Sequence, residues 1–208
     1  MNNIKVNCGN IEISNNNKIC IIAGPCQLET EQHAVDMAGE IQEITKKYGL
    51  GFIYKTSFDK ANRTSLKGKR GAGLEASLPV FDKLKKEFNV PILTDIHNAE
   101  QCSLVKDHVD ILQIPAFLCR QTDLLIAAAK TNKIINVKKG QFLAPWDMVN
   151  VTKKISESGN ENILVTLTMS HGAKNWPFLT LIILFVLAAA INKSVCLHKK
   201  AGICRTST

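Results

Sequence analysis

The sequence contains 208 residues, which is enough for one sizeable core or for one incomplete larger domain. Its formal net charge of +8 favours anionic partners. The basic residues are scattered, aromatic residues make up only 6%, and no zinc-finger or RNA-binding signature is present, so we expect no nucleic-acid partner.

The cysteines indicate a reducing compartment. There are seven of them, an odd number, and none forms a Cys-x-x-Cys pair, which argues against a disulfide framework. The first five residues, Met-Asn-Asn-Ile-Lys, lack the apolar core of a signal peptide. We therefore expect a cytoplasmic protein.

Short apolar runs alternate with helical periodicity along most of the chain. A two-stranded flap is predicted within residues 4–13, and Thr30 is a plausible N-cap for the first helix. The predicted strands cover 18–23, 51–54, 90–94, 110–114, 134–137 and 163–166. The predicted helices cover 31–48, 74–88, a segment through 104, 124–130 and 145–158. Six strand–helix alternations indicate parallel β/α architecture.

Polar residues follow the predicted strands at their carboxyl ends. They are Cys26, Lys55 to Arg63, Asp95, His97, Gln113, Lys138 and Gln141. In a (β/α)₈ TIM barrel these positions converge on one rim, where active sites lie. An open doubly wound sheet would align them too, but no Gly-x-Gly-x-x-Gly turn follows any strand. We favour the barrel, in incomplete form, because a complete one takes about 250 residues and about six units are recognisable.

One stretch, residues 55–65, has a composition that a simple surface turn does not need. It contains three cations, Lys55, Lys60 and Arg63, together with hydroxyls, an amide and one carboxylate. Cations at this density, on a loop that follows a buried strand, suit a small polyanion carrying phosphate or carboxylate. A solvated basic loop is the alternative interpretation.

The character of the sequence changes after the sixth predicted strand. We assign residues 1–166 to the barrel portion with its N-terminal hairpin flap, and residues 167–208 to an atypical tail that is apolar and then basic. The apolar run at 176–191 is shorter than the roughly 20 residues that a membrane span prefers. A buried helix, a marginal membrane anchor and a segment foreign to the fold are the three interpretations, and membrane attachment is the least favoured of them.

Several motifs together carry a family resemblance. They are Ala23-Gly24-Pro25-Cys26, Lys55-x-Ser57-Phe58-Asp59-Lys60-Ala61-Asn62-Arg63, Thr94-Asp95-Ile96-His97, the segment from Gln113 to Leu124 and the segment from Asn136 to Phe142. Over about residues 1–166 the sequence resembles the 3-deoxy-D-manno-octulosonate 8-phosphate synthases. The resemblance implies a cytoplasmic barrel, usually tetrameric, that condenses phosphoenolpyruvate with D-arabinose 5-phosphate, releases phosphate and supplies lipopolysaccharide synthesis.

The resemblance also implies roles for individual residues. Lys55, Lys60 and Lys138 would surround phosphoenolpyruvate, with Ser57 and Gln113 completing its hydrogen bonds. Asn62 would hold sugar hydroxyls, and Arg63 with Thr64 the sugar phosphate. Arg120 would reach the sugar phosphate of a neighbouring subunit. Of these, Lys60, Asn62 and Lys138 are the expected catalytic residues.

Cys26 places the sequence, by resemblance, in the metal-dependent branch, with Zn, Fe or Mn as the expected divalent ion. A thiolate suits such metals, although a lone cysteine after a strand is otherwise most often a buried thiol. Asp95 and His97 have the alternative interpretation of hydrogen-bonded rim residues. The family's other metal ligands and an arginine of an Arg-Gly motif have no counterpart after residue 166, which suggests a frameshifted or truncated terminus.

Three alternatives to an active synthase of this kind stay open. The first is an inactive remnant of the same enzyme. The second is the related aromatic-pathway synthase that uses erythrose 4-phosphate, which the segment from Lys60 to Arg63 disfavours. The third is a membrane-anchored binding protein, and it depends only on the apolar run at 176–191.

Overall fold

The computed structural model describes residues 4–167, together with the backbone of a short strand at 186–188. The chain starts with an antiparallel hairpin of β1 (Lys5–Cys8) and β2 (Ile11–Ser14), which pair with Cys8 opposite Ile11. Gly9 takes a positive φ of 58° in the turn. The predicted two-stranded flap is therefore confirmed.

A curled parallel sheet follows the hairpin. Its six parallel strands are β3 (Cys20–Ala23), β4 (Gly51–Lys55), β5 (Ile92–Asp95), β6 (Ile111–Ile114), β7 (Ile134–Lys138) and β8 (Ile163–Thr166). Each strand pairs with the next one along the chain. This order is that of a barrel wall, so the predicted incomplete TIM-type architecture is confirmed for the part of the chain described.

Helices connect the strands on one face of the sheet. They are α1 (Glu31–Lys47), α2 (Leu74–Phe88), α3 (Ala99–Val105), α4 (Thr122–Ala129) and α5 (Met148–Ser156). The predicted cap is present, because the backbone N–H of His33 donates to Thr30 Oγ1 over 3.2 Å. The segment predicted to be helical from Pro145 begins with a 3₁₀ turn, Pro145–Asp147, and becomes α-helical at Met148.

The two faces of the sheet pack against different partners. The larger core lies between the sheet and the helices and includes Tyr54, Leu112 and Val137. A second apolar layer lies on the opposite, inner face, where side chains from β3 to β8 pack with the hairpin. Its strand residues are Ile22, Ile53, Leu93, Ile111, Ile134 and Leu164, and its hairpin residues are Val6, Cys8 and Ile13. The hairpin thus covers the inner face near the amino ends of the strands.

The structure describes little of the predicted tail. Val186–Ala188 forms β9, which pairs antiparallel with β8 and places Val186 opposite Thr166. For these three residues the helical interpretation is wrong. The remaining residues of the apolar run at 176–191 lie outside the described part of the chain. Within that part, no helix is long and apolar enough to span a membrane.

Candidate functional site

The polar site lies one layer above the apolar inner layer. Side chains two residues apart on a strand lie on the same face of the sheet. The inward-facing apolar residues Ile53, Leu93, Ile111, Ile134 and Leu164 are therefore followed by inward-facing Lys55, Asp95, Gln113, Asn136 and Thr166. The polar residues stand at the carboxyl ends of five adjacent strands, which is the edge that the sequence predicted.

Ser57 is the centre of this layer. Its Oγ accepts hydrogen bonds from Lys55 Nζ over 3.0 Å and from Lys60 Nζ over 2.9 Å, and it donates to Asp95 Oδ2. The two ammonium groups also lie 3.6 and 3.7 Å from that carboxylate oxygen. Ser57 and Asp95 are buried, so two cations and one anion share a site from which water is largely excluded.

This proximity shifts the pKa values of the charged groups. Burial raises the pKa of Asp95, but Lys55, Lys60 and the hydrogen bonds from Ser57 and Gln113 outweigh it, so the pKa lies well below the usual range. Burial also lowers the pKa of Lys55, to about 8, because it outweighs the attraction of Asp95. Asp95 is therefore an anion at neutral pH, whereas the pKa of Lys55 lies close to neutral pH, so its charge changes near pH 8.

A cavity of about 160 Å³ opens beside this cluster. The three expected catalytic residues, Lys60, Asn62 and Lys138, all line it, together with Asp95, His97 and Gln141. Phe117, from the 3₁₀ turn after β6 (Ala116–Leu118), adds an aromatic wall. Cations, amides and a carboxylate around one small cavity are suited to an anionic, hydroxylated ligand.

The structure places other predicted residues outside this cavity. Thr64 is exposed, and Arg63 donates from Nη2 to Gln27 Oε1 and from Nε to the carbonyl of Lys69 over 2.8 Å. Arg120 lines a separate cavity of about 330 Å³ beside α5. Lys60 and Lys138 thus share the small cavity, while Arg63 lies on the exposed loop that follows Asn62.

The turn after β3 lies against the end of β4. Gly24 has a φ of 155°, and a Cβ at this position would lie 2.1 Å from the carbonyl oxygen of Lys55, so the contact requires glycine. Two residues later, Cys26 presents an exposed thiol. Within the described residues, no group of three or more His, Cys, Asp and Glu side chains could hold a metal ion. Because one thiolate is too few ligands, the described residues alone do not form a metal centre.

Sequence reasoning did not assign a role to Asn136 or Thr166. Asn136 Nδ2 donates to Gln113 Oε1 over 2.8 Å, and Thr166 Oγ1 donates to Asn136 Oδ1 over 3.0 Å. Both residues are buried. Their position in the sequence could have predicted that they face the site, because each comes two residues after an inward-facing apolar residue on its strand. His97 lies at this edge and lines the cavity, with its ring centroid 5.8 Å from that of Phe58 in a T-shaped arrangement. Its Nδ1 is buried without a hydrogen-bond partner among the described residues, which does not support the hydrogen-bonded rim interpretation.

A curled parallel sheet whose strands are joined by helices, with polar side chains gathered at the carboxyl ends of the strands, defines a β/α-barrel type of protein. The chain belongs to the DAHP synthetase I family, whose sequence model matches residues 3–194.

Curated relatives give a narrower comparison. The chain is 63% identical over 164 residues to the 2-dehydro-3-deoxyphosphooctonate aldolase of Mesorhizobium japonicum, and 64% identical over 164 residues to the protein of the same name from Brucella anthropi. Each match covers 79% of this chain and 59% of the relative. The name is another one for the synthases that the motifs resemble, so that resemblance is confirmed. The chain spans about three-fifths of the length of these relatives.

Proposed function

We propose that this protein condenses phosphoenolpyruvate with D-arabinose 5-phosphate to give 3-deoxy-D-manno-octulosonate 8-phosphate and inorganic phosphate. The observation that carries the proposal is the convergence of Lys55 and Lys60 on Ser57 and Asp95, beside a cavity that Lys138 also lines. Phosphoenolpyruvate carries a carboxylate and a phosphate a few atoms apart, so it needs several cations at one point. The names of the relatives support the same reaction.

The proposed roles are those that the family resemblance implies. Lys60 and Lys138 line the cavity, whereas Lys55, Ser57 and Gln113 contact Asp95, which lines it. Lys55, Lys60 and Lys138 neutralise the carboxylate and phosphate of phosphoenolpyruvate, and Gln113 donates to its oxygens. Ser57 can donate to the ligand only by releasing Asp95, which now accepts its one hydroxyl proton. Carbon 3 of the enol attacks the aldehyde of the sugar, water adds at carbon 2, and phosphate leaves. Fixed ammonium groups stabilise the charge that develops in these steps without having to reorganise.

The sugar phosphate is assigned to the loop beside the cavity. Asn62 lines the cavity and would bind sugar hydroxyls, and Arg63 and Thr64 follow it on the exposed side, where the phosphate of a bound pentose would extend. A guanidinium group binds phosphate through two parallel N–H donors. For this role Arg63 has to exchange its contact with Gln27 for the ligand.

Arg120 supports a homo-oligomer as part of the proposal. Its side chain lies in a different concave surface from Lys60 and Lys138 and is exposed, so it is available to a neighbouring copy of the chain. A reducing, cytoplasmic location is consistent with the free thiols of the five cysteines that the structure describes. Cys26 is proposed as one ligand of a divalent metal in a site that is incomplete in this sequence, because the family's other ligands have no counterpart in it, and no step of the reaction is assigned to that metal.

Phosphate release is the direct test. The purified chain is incubated with phosphoenolpyruvate and D-arabinose 5-phosphate, with and without Mn²⁺ or Zn²⁺, and we expect phosphate release that requires both substrates. Lys138→Met should reduce it at least about a hundredfold, since it removes a cation from the reacting charge. An exposed lysine away from the cavity, Lys83→Met, is the matched control.

The same assay separates the alternatives. The related aromatic-pathway synthase would use erythrose 4-phosphate as the sugar, whereas the segment from Lys60 to Arg63 favours the pentose. Faster release with erythrose 4-phosphate would contradict our choice of substrate. Binding of phosphoenolpyruvate without any turnover would show an inactive relative that retains the anion site.

A further inference from the structure

A single chain of hydrogen bonds crosses five strand ends of the site. It leads from Thr166 through Asn136 and Gln113 to Asp95, and from there to Ser57. Each of these residues is buried, and each belongs to, or directly follows, a different strand of the sheet. The last two members touch the lysine cluster, whereas Thr166 is at the far end of the chain.

Chemistry fixes the direction of every bond in this chain. Asp95 is ionised and can only accept, so Gln113 must turn its NH₂ group toward the carboxylate and its oxygen toward Asn136. That oxygen needs a donor, so Asn136 must present its own NH₂ group. The remaining oxygen of Asn136 then needs a donor, which the hydroxyl of Thr166 provides. A reversed amide anywhere in the chain would place two oxygens against each other.

We propose that Asn136 and Thr166 are positioning residues, which fix the orientation of the Gln113 carboxamide and through it the carboxylate of Asp95. The importance of this orientation for ligand binding depends on the proposed function, since Gln113 is assigned there to phosphoenolpyruvate. Thr166 does not line the cavity beside Lys60. Its effect therefore reaches the cavity through Asn136, Gln113 and Asp95, and of these three only Asp95 lines the cavity.

The chain offers a matched pair of variants. Thr166→Val removes the terminal hydroxyl with little change of shape. Thr94→Val makes the same replacement on β5, where the threonine is also buried and its hydroxyl has no hydrogen-bond partner among the described residues. Thr166→Ser retains the hydroxyl and is therefore expected to preserve the chain of hydrogen bonds.

Two measurements on the full chain test the proposal. The first is the position of the Gln113 side-chain NH₂ signals in ¹H–¹⁵N NMR spectra, and the second is the affinity for phosphoenolpyruvate by titration calorimetry. We expect Thr166→Val to shift the Gln113 signals and to weaken binding about fivefold, as loss of one neutral hydrogen bond does. Thr166→Ser and Thr94→Val should leave both readouts close to those of the unmodified chain.

A second variant reverses the direction of the hydrogen bond between residue 136 and Gln113. Asn136→Asp replaces the donor to Gln113 by an acceptor, so the Gln113 amide must turn and direct its oxygen at Asp95. We expect a larger loss of affinity than with Thr166→Val, about tenfold or more, because Oδ1 of the ionised Asp95 then loses its donor and faces an oxygen.

The results distinguish failure of the positioning role from failure of the proposed function. Gln113 signals and affinity that do not change in Thr166→Val would overturn the positioning role. If the unmodified chain does not bind phosphoenolpyruvate, the proposed function fails, and the Gln113 signals alone then decide whether the chain of bonds exists. If Thr166→Val does not fold, the unmodified protein still provides a test, because fast-exchanging Gln113 and Asn136 NH₂ groups, like those of exposed amides, would also overturn the proposal.

Discussion

Ser57 contributes one side-chain oxygen to the site, and the structure uses its full hydrogen-bonding capacity. The hydroxyl accepts from Lys55 and Lys60 and donates to Asp95, which matches the two acceptor positions and one donor of a hydroxyl group. The lysines are thereby held at a fixed separation next to one carboxylate. A single residue thus keeps two like charges together in a buried position, where they would otherwise repel each other.

The lowered pKa of Lys55 leads to a prediction at this scale. At about pH 8 roughly half of the Lys55 side chains are neutral in the free protein, since the pKa is about 8. Phosphoenolpyruvate adds negative charge beside Nζ and raises that pKa, so binding should take up protons at pH 8 and less near pH 6.5, where Lys55 is already charged. Calorimetric titrations in buffers of different ionisation enthalpy measure the uptake.

Lys55→Arg is the control for proton uptake, because arginine stays charged over this pH range. Its binding should show little proton uptake at pH 8, even where the affinity has fallen. Equal uptake in both proteins would assign the titrating group elsewhere.

Some residues of the site can be identified from the sequence, and others cannot. Lys60, Asn62 and Lys138 belong to recognisable motifs, and all three line the cavity. Asn136 and Thr166 are single polar residues within strands, and nothing in a linear sequence shows that their side chains meet. Their roles depend on the register between β6, β7 and β8, which only the folded sheet supplies.

The loop after β4 carries Lys60, Asn62 and Arg63, three of the residues proposed to bind the substrates. Its two ends are joined at Asp59 and Arg70, whose guanidinium group donates to both carboxylate oxygens, and the backbone N–H of Lys60 donates to the carbonyl of Arg70 over 2.7 Å. Gly71, with a φ of 120°, then brings the chain against Phe58, where a Cβ would lie 2.6 Å from the carbonyl oxygen. This closure positions Lys60, next to the join, at the cavity.

Breaking the closure should loosen the loop without unfolding the protein. In Arg70→Gln the bidentate contact to Asp59 is lost, so we expect trypsin to cleave after Lys67 and Lys69 several times faster than in the unmodified chain. Arg70 is exposed and Asp59 is half-buried, so the pair contributes little to stability and the thermal midpoint should change little. Lys83→Gln, which breaks an exposed pair with Glu31 between two helices, is the control. Unchanged cleavage after Arg70→Gln would contradict a closing role for the pair.

The order of the elements was predictable because the hydrophobic periodicity of each is strong. The bounds of α2 and the cap at Thr30 agree with the structure, while the helix predicted from Pro145 was less regular, since its first turn is 3₁₀. Proline fixes φ and removes a donor at the start of that segment, which the periodicity of apolar residues does not reveal.

At the scale of the whole molecule, the inner face of the sheet is divided into two layers. Apolar side chains and the hairpin occupy the amino ends of the strands, and hydrogen-bonded polar side chains occupy the carboxyl ends. The hairpin is therefore part of the core, although the sequence suggested only a flap.

Truncation in the hairpin should lower the stability of the whole protein. Ile13 is buried against the inner layer, so Ile13→Ala should reduce the free energy of unfolding by about 3 kcal/mol. Ile19 is 59% exposed just before β3, and Ile19→Ala should cost less than about 0.5 kcal/mol. Denaturant unfolding curves compare the two. Similar small losses would show that the hairpin is a separate appendage.

The apolar layer beneath the polar layer determines from which side small molecules can enter the site. Because the hairpin and the inward-facing aliphatic side chains close the sheet from beneath, the described site has its opening at the carboxyl ends of the strands. A molecule seated against Lys55 and Asp95 lies deeper than one held by the loop at Asn62. If the proposed reaction holds, phosphoenolpyruvate at the deeper position has to bind before the sugar phosphate covers it.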